Sequence, residues 1–191
     1  MPSLEPSIIV HLLKKHADTH FPLFIETGTN AADTTRAMTP LFERVFTIEL
    51  SDELYARNLV YKSSYPTIEF IHGDSAVELN RLLPTIHQPA VFFLDGHWSS
   101  GNTARGPKDC PLMEEFQSIM TYMKHECIII VDDYRLFGLG PHNHTLNEDW
   151  SDITKESLLS VVSSRLITDY HLPSHITLTD RWVLELSEKK N

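Results

Sequence analysis

Five short runs, Phe21 to Glu26, Arg44 to Glu49, Ile68 to His72, Ala90 to Leu94 and Cys127 to Val131, carry apolar residues along their length and not at alternate positions only. A strand that is apolar on both sides needs cover on both sides. Helical patterns stand between the runs. Ile8, Ile9, Leu12 and Leu13 give an amphipathic entry helix over 6–17, and another helix runs from about 31 to 39 and closes near Pro40. Ser51, followed by Asp52 and Glu53, is a helix start with an N-cap serine and an acidic first turn. Further helices are expected over 75–83, 111–123 and 152–162, and two more strands over 166–171 and 181–186. Strand and helix in alternation predict an α/β fold: a doubly wound, Rossmann-like, mostly parallel sheet with helices on both faces. The chain reads as one domain over 1–191, with 1–19 as a helical N-terminal extension.

Charge and composition exclude several function classes. The formal net charge is -10 at pH 7, the wrong sign for a protein that works by covering phosphates, so no nucleic-acid partner is expected. The longest apolar runs are about five residues, against about 20 for a membrane span, so no membrane partner is expected either. The N-terminal residues lack a basic stretch, an apolar block and a small-residue cleavage site, so no secretory signal is read there. Cys110 and Cys127 show no CxxC spacing, which suggests reduced thiols and a cytoplasmic location.

In a doubly wound sheet, ligands bind beyond the carboxyl ends of the strands, where the strand order reverses. The residues at those ends are Glu26-Thr27-Gly28-Thr29-Asn30, Glu49-Leu50, Gly73-Asp74-Ser75, Asp95-Gly96-His97-Trp98 and Asp132-Asp133. Each strand thus reaches an acidic residue within a few positions of its end. Of the seven glycines, Gly28 and Gly73 stand alone, and the other five lie between 96 and 140. Gly28 stands where backbone must approach a ligand closely. Glu49, at the end of the second strand, is placed to accept both hydroxyls of a ribose. A dinucleotide site usually carries G-x-G-x-x-G to admit a pyrophosphate, but here Ala31, Ala32 and Asp33 follow Gly28. A cationic, phosphate-free nucleoside such as S-adenosylmethionine suits Glu26 and Asp33 better.

The segments FIETGTNAADTT (24–35), TIELSDELY (47–55), FIHGDSAVEL (70–79), FFLDGHWSSG (92–101) and IIIVDDY (128–134) resemble the class I S-adenosylmethionine-dependent methyltransferases over roughly residues 20–186. The resemblance implies a seven-stranded sheet with a reversed last strand, a place that 180–185 would fill. It implies that Glu26 and Gly28, with Thr27, Thr29 and Asn30 in the same turn, line the methionine end of the cofactor. By the same pattern Glu49 and Leu50 hold the ribose, Asp74 and Ser75 lie against the adenine, and Asp95 completes the site. Many members carry a second glycine where Ala31 or Ala32 stands here.

Asp95 and the pair Asp132-Asp133 are expected on neighbouring central strands, where three carboxylates would repel one another unless a cation neutralised them. A hard divalent ion such as Mg²⁺ would do so. The arrangement is similar to the metal-dependent O-methyltransferases of the catechol and macrocin types. The competing view is that Asp133 caps the next turn and only Asp95 meets the ligand. Methyl transfer to a hydroxyl also needs a base, and His97 is the best placed, with Asp95 beside it; His142 and His144 are weaker candidates. The loop 99–109 is a candidate substrate lid carrying Arg105 and Lys108. These two either meet an anionic acceptor or pair with Asp109 and Glu114. Together the signs point to methyl transfer onto a small-molecule acceptor, a sugar or phenolic hydroxyl. The alternatives are a metal-independent methyltransferase, a Rossmann-type oxidoreductase and a non-catalytic cofactor-binding relative. Oligomeric state is not readable.

Overall fold

The computed structural model of the chain describes residues 2–101, 103–142 and 147–189. Its strands are β1 (Leu23–Thr27), β2 (Arg44–Glu49), β3 (Ile68–His72), β4 (Ala90–Leu94), β5 (Cys127–Val131), β6 (Leu166–Leu172) and β7 (Arg181–Leu186). Its helices are α1 (Pro6–Lys15), α2 (Asp33–Met38), α3 (Asp52–Asn58), α4 (Ser75–Leu82), α5 (Leu112–Tyr122) and α6 (Lys155–Val162). The strands form one seven-stranded sheet in the order β3-β2-β1-β4-β5-β7-β6. Only β7 is reversed, pairing antiparallel with both β5 and β6. The expected sheet, parallel except for a reversed last strand, is the one observed.

Every residue of β1, β4 and β5 is buried, as their unbroken apolar runs require, and the two faces carry separate cores. Ile25, Phe92 and Ile129 face a layer built from α4, α5 and α6. Phe24, Phe93 and Ile128 face α1 and α2, where Ile9, Leu12 and Met38 are fully or almost fully buried. Each fully buried Phe or Ile contributes roughly 1.5–3 kcal/mol of transfer free energy, so the central strands are fixed hardest. The helix read over 6–17 is therefore an integral cover of the sheet.

Element ends differ from expectation by a few residues, for local reasons. Pro22 has no N–H to give a ladder, and its carbonyl accepts from Glu43 N at 2.9 Å, so β1 starts at Leu23. Helix α6 starts at Lys155 because Thr154 and Ser157 form a capping box. The Ser51 cap is present, its hydroxyl accepting from Leu54 N at 3.3 Å.

Strand register aligns the carboxyl ends. Thr27 stands opposite both Ile48 and Leu94, and Leu94 opposite Val131. The ladders continue one residue further: Asp95 N donates to Thr27 O at 3.1 Å and Asp132 N to Leu94 O at 3.1 Å. The strand-end acids of the four inner parallel and adjoining strands are thereby delivered to a single edge, on either side of the β1/β4 junction where strand order reverses.

Candidate functional site

A cleft of about 410 Å³ opens at that edge. Its floor is the turn after β1. Gly28 has φ +82, and a Cβ on it would stand 2.2 Å from the Asp95 carbonyl oxygen. Both the backbone conformation and the closeness of β4 demand glycine. Asn30 and Ala32 also have positive φ, at 46 and 56, so the turn winds tightly before α2 begins. The small side chain of Ala32 is fully buried within this turn.

Glu26 lines the cleft but is only 1% exposed. Thr35 Oγ1 and Thr47 Oγ1 donate to its Oε2 at 2.5 and 2.7 Å. Burial dominates these bonds and pushes its pKa up to about 7. Glu49 is fixed by two backbone N–H groups, from Asn30 at 2.9 Å and Ser51 at 2.8 Å, one on each oxygen. Each oxygen keeps acceptor capacity for a ligand hydroxyl. Asp74 caps α4 by accepting from Ala76 N at 3.0 Å, and with Ser75 and Leu50 it lines the same cleft. Gly28, Thr29, Asn30 and Asp95 line it too. Thr27 does not: it is fully buried and its hydroxyl points beneath Gly96, because the strand's alternation turns it to the opposite face from Glu26.

The three expected metal ligands are split. Donor atoms lying within 4.8 Å of one another, among the described residues, form the groups Asp95-His97-Asp133 and Asp132-Asp133-Asp180. Asp132 turns towards the buried Arg181, whose Nε lies 3.7 Å from its Oδ1. Asp133 and Asp180 both receive Arg135 Nη1. Two guanidinium groups thus supply part of the positive charge for which a cation was invoked. Asp133 sits in left-handed backbone (φ 58, ψ 33) and makes no side-chain cap, so it is not the turn cap considered above. Asp95 remains far above the usual carboxylate range, by burial first and then by the charges of Asp132, Asp133 and Glu26.

His97 is the hinge between the cleft and this acidic wall. Its Nε2 is 3.1 Å from Asp133 Oδ2 and 3.9 Å from Glu148 Oε2, its Nδ1 is 3.6 Å from Asp95 Oδ1, and its ring packs edge-on to Trp150. Burial lowers its pKa, against the opposing pull of Asp133 and Glu148. His142 is exposed, and His144 lies outside the described residues.

The loop after β4 covers the side of the cleft lined by Leu50 and Asp74. Gly106 approaches Leu50 and Asp74, the two positions assigned to ribose and adenine. Arg105 is bidentate to Asp109 at 2.6 and 2.9 Å and stacks on Trp98, and Lys108 binds Glu114. The pairing alternative therefore holds for both residues, and neither is held out for an anionic acceptor.

Glu115 and Glu148 were missed. Glu115 is fully buried between Thr27, Ser75 and Gly96, and burial, outweighing the opposing pull of the Ser75 and Thr27 hydroxyls, raises its pKa to about 7. Its position in the stripe Leu112, Glu115, Phe116, Ile119 was the available signal. Glu148 comes from an aperiodic loop and had none.

No protein-family model matches the chain, and no curated protein matches it. Solved structures share its fold. An S-adenosylmethionine-dependent methyltransferase from Clostridium acetobutylicum is 10% identical, with a TM-score of 0.58 over 96% of this chain and 91% of that one. The N-methyltransferase NodS from Bradyrhizobium japonicum is 9% identical (TM-score 0.57, 95% and 94% covered), and an rRNA methylase from Streptococcus thermophilus is 11% identical (TM-score 0.54, 95% and 96% covered). The fold is that of these methyltransferases. It is shared by an N-methyltransferase and an rRNA methylase, and by itself names no acceptor.

Proposed function

We propose that the cleft binds S-adenosylmethionine and that the protein transfers its methyl group to a hydroxyl of a small molecule. Gly28 carries this reading: it presses the turn after β1 against the Asp95 carbonyl, opening a cleft at the strand-order reversal beside a Glu49 whose two oxygens are aimed by backbone N–H groups. The glycine-poor turn and the acid-lined walls oppose a pyrophosphate. The net charge of -10 likewise favours a small acceptor over RNA. Free, buried Cys110 and Cys127 agree with a cytoplasmic setting.

In the reaction, the sulfonium C–S bond breaks as the acceptor C–O bond forms; sulfur leaves as a neutral thioether and the hydroxyl proton passes to a base. His97 is that base. Asp133 beside Nε2 favours the tautomer with its proton there, leaving the Nδ1 lone pair on the side of Asp95, which lines the cleft. A divalent cation is the second reading, supported by the convergence of Asp95, His97 and Asp133. These are two carboxylates and an imidazole, not the all-oxygen set from Asp95, Asp132 and Asp133 that suits Mg²⁺ best. Such an ion would acidify the acceptor hydroxyl, and His97 would then be a ligand and not the base.

Calorimetric titration with S-adenosylmethionine, S-adenosylhomocysteine and NADH tests the cofactor, followed by a screen of sugar and phenolic hydroxyls for methyl transfer with and without chelator. Binding of the first two alone is expected. Binding of NADH alone would move the protein to the oxidoreductases, binding without transfer would mark a non-catalytic relative, and loss of transfer on chelation would favour the cation.

A further inference from the structure

The walls of the cleft are charged in one sense. Glu26, Asp33, Glu49, Asp74, Asp95 and Glu114 line it, against one lysine, Lys108, whose ammonium is bound to Glu114. Asp33 is paired with Arg36 at 2.6 Å. The other acids at the β1/β4 junction have no such partner: among the described residues no lysine or arginine stands within salt-bridge distance of Glu26 or Asp95. Glu26 is satisfied by two hydroxyls only, and Asp95 feels Asp132, Asp133 and Glu26. Two carboxylates, Glu26 buried and Asp95 partly exposed, thus line a ligand cleft with no lysine or arginine set against them. A cation that arrives with the ligand favours their charged form and is held by it.

With Glu49 marking the ribose, the sulfur of the cofactor lies towards that junction. We infer that the cleft discriminates on the charge at sulfur, holding the sulfonium cofactor and releasing the neutral thioether product, with Glu26 and Asp95 as the discriminating residues. This rests on the cofactor reading above. S-adenosylmethionine and S-adenosylhomocysteine share adenosine, amino and carboxylate groups, and differ by one methyl and one positive charge. A difference in their affinities is therefore a direct measure of the field at sulfur. Product departure is then driven by the chemistry itself, since transfer removes the charge that held the cofactor, and product inhibition is weak.

The test compares three ligands on the intact protein by calorimetry: S-adenosylmethionine, S-adenosylhomocysteine and sinefungin, which carries an amine cation near the sulfonium position and cannot donate methyl. The two cations should bind at least about tenfold tighter than the thioether, a modest demand on two nearby carboxylates in a partly desolvated site. In the Glu26→Gln, Asp95→Asn variant the ratio of cation to thioether affinity should shrink to within about threefold, whatever the absolute affinities. Equal or tighter binding of S-adenosylhomocysteine by the wild type overturns the inference, and that comparison stands whether or not the variant folds. Failure of all three to bind overturns the cofactor reading instead.

Discussion

Gly28, His97 and Glu115 each place a different demand on a single residue. At Gly28, replacement by Ala meets both a left-handed φ and a backbone oxygen 2.2 Å away. The variant should lose at least about 1 kcal/mol of stability, seen in urea unfolding, and should give no calorimetric signal with S-adenosylhomocysteine because the turn can relax only by filling the cleft. His97→Gln should lower the rate of methyl transfer by about 10²–10⁴ while cofactor affinity stays within a few-fold. A variant that loses binding and keeps its rate would remove His97 from the base role. Glu115 yields a prediction about pH. Its folded pKa of about 7 stands above the ordinary 4.5, so between those values the folded protein retains a proton that the unfolded chain has lost. Stability falls as pH rises through this window and levels off above it, by at most roughly 3 kcal/mol for this one group. Glu26 and Asp132 titrate upward in the same range, so the difference between variant and wild type isolates Glu115. Glu115→Gln should melt higher than the wild type by a margin that grows from pH 5 to pH 8. A constant margin would mean that its carboxyl is solvated or paired.

Elements were legible where burial is two-sided. The runs at β2, β4 and β5 start and end where the apolar pattern places them, because residues such as Phe92 and Phe93 must both be covered; β3, where Ile68 alone is buried, keeps its expected bounds without that cover. The strand-end acids followed from this, since parallel strands in aligned register deliver their ends to one edge. What escaped was set by tertiary context: Thr27 faces away from the cleft by strand alternation, Asp132 swings to an arginine on β7, and Glu115 comes in from α5. Such partners lie tens of residues away, with no periodicity linking them to the strand ends. The loop after β4 was legible as long and polar, but its place over one side of the cleft depends on contacts with Leu50 and Asp74. Arg105 fixes that loop through Asp109, which in turn accepts from Asp149 N at 3.0 Å. Arg105→Ala should therefore quicken S-adenosylhomocysteine dissociation by roughly twofold to fivefold, in keeping with the small worth of an exposed ion pair. Trp98, stripped of its stacked guanidinium, reports the change in stopped-flow fluorescence. An unchanged rate would show that the loop does not gate the cleft.

For the molecule as a whole, two buried arginines join distant parts of the chain. Arg165 donates to the carbonyls of Met123, His125 and Ser187, tying the start of β6 to the ends of α5 and β7. Arg181 binds the carbonyls of Ser3 and Pro173 and the carboxylate of Glu5, with Asp132 at 3.7 Å on its other side. Ser3 also gives its N–H to Thr34 and lines the cleft, so this one guanidinium connects a wall of the cleft to the reversed strand that defines the fold. Arg181→Met keeps volume but strands two carbonyls and leaves Asp132 uncompensated, which should cost about 3–5 kcal/mol. Part of that loss sits in the cleft wall, so the variant should bind S-adenosylhomocysteine more weakly. The ligand stabilises a folded protein by about 2.7 kcal/mol at a hundredfold excess over Kd. Urea midpoints taken with and without one fixed ligand concentration, set at that excess for the wild type, should therefore separate further in the wild type than in Arg181→Met. Equal separations would mean that Arg181 holds the fold together without holding the site.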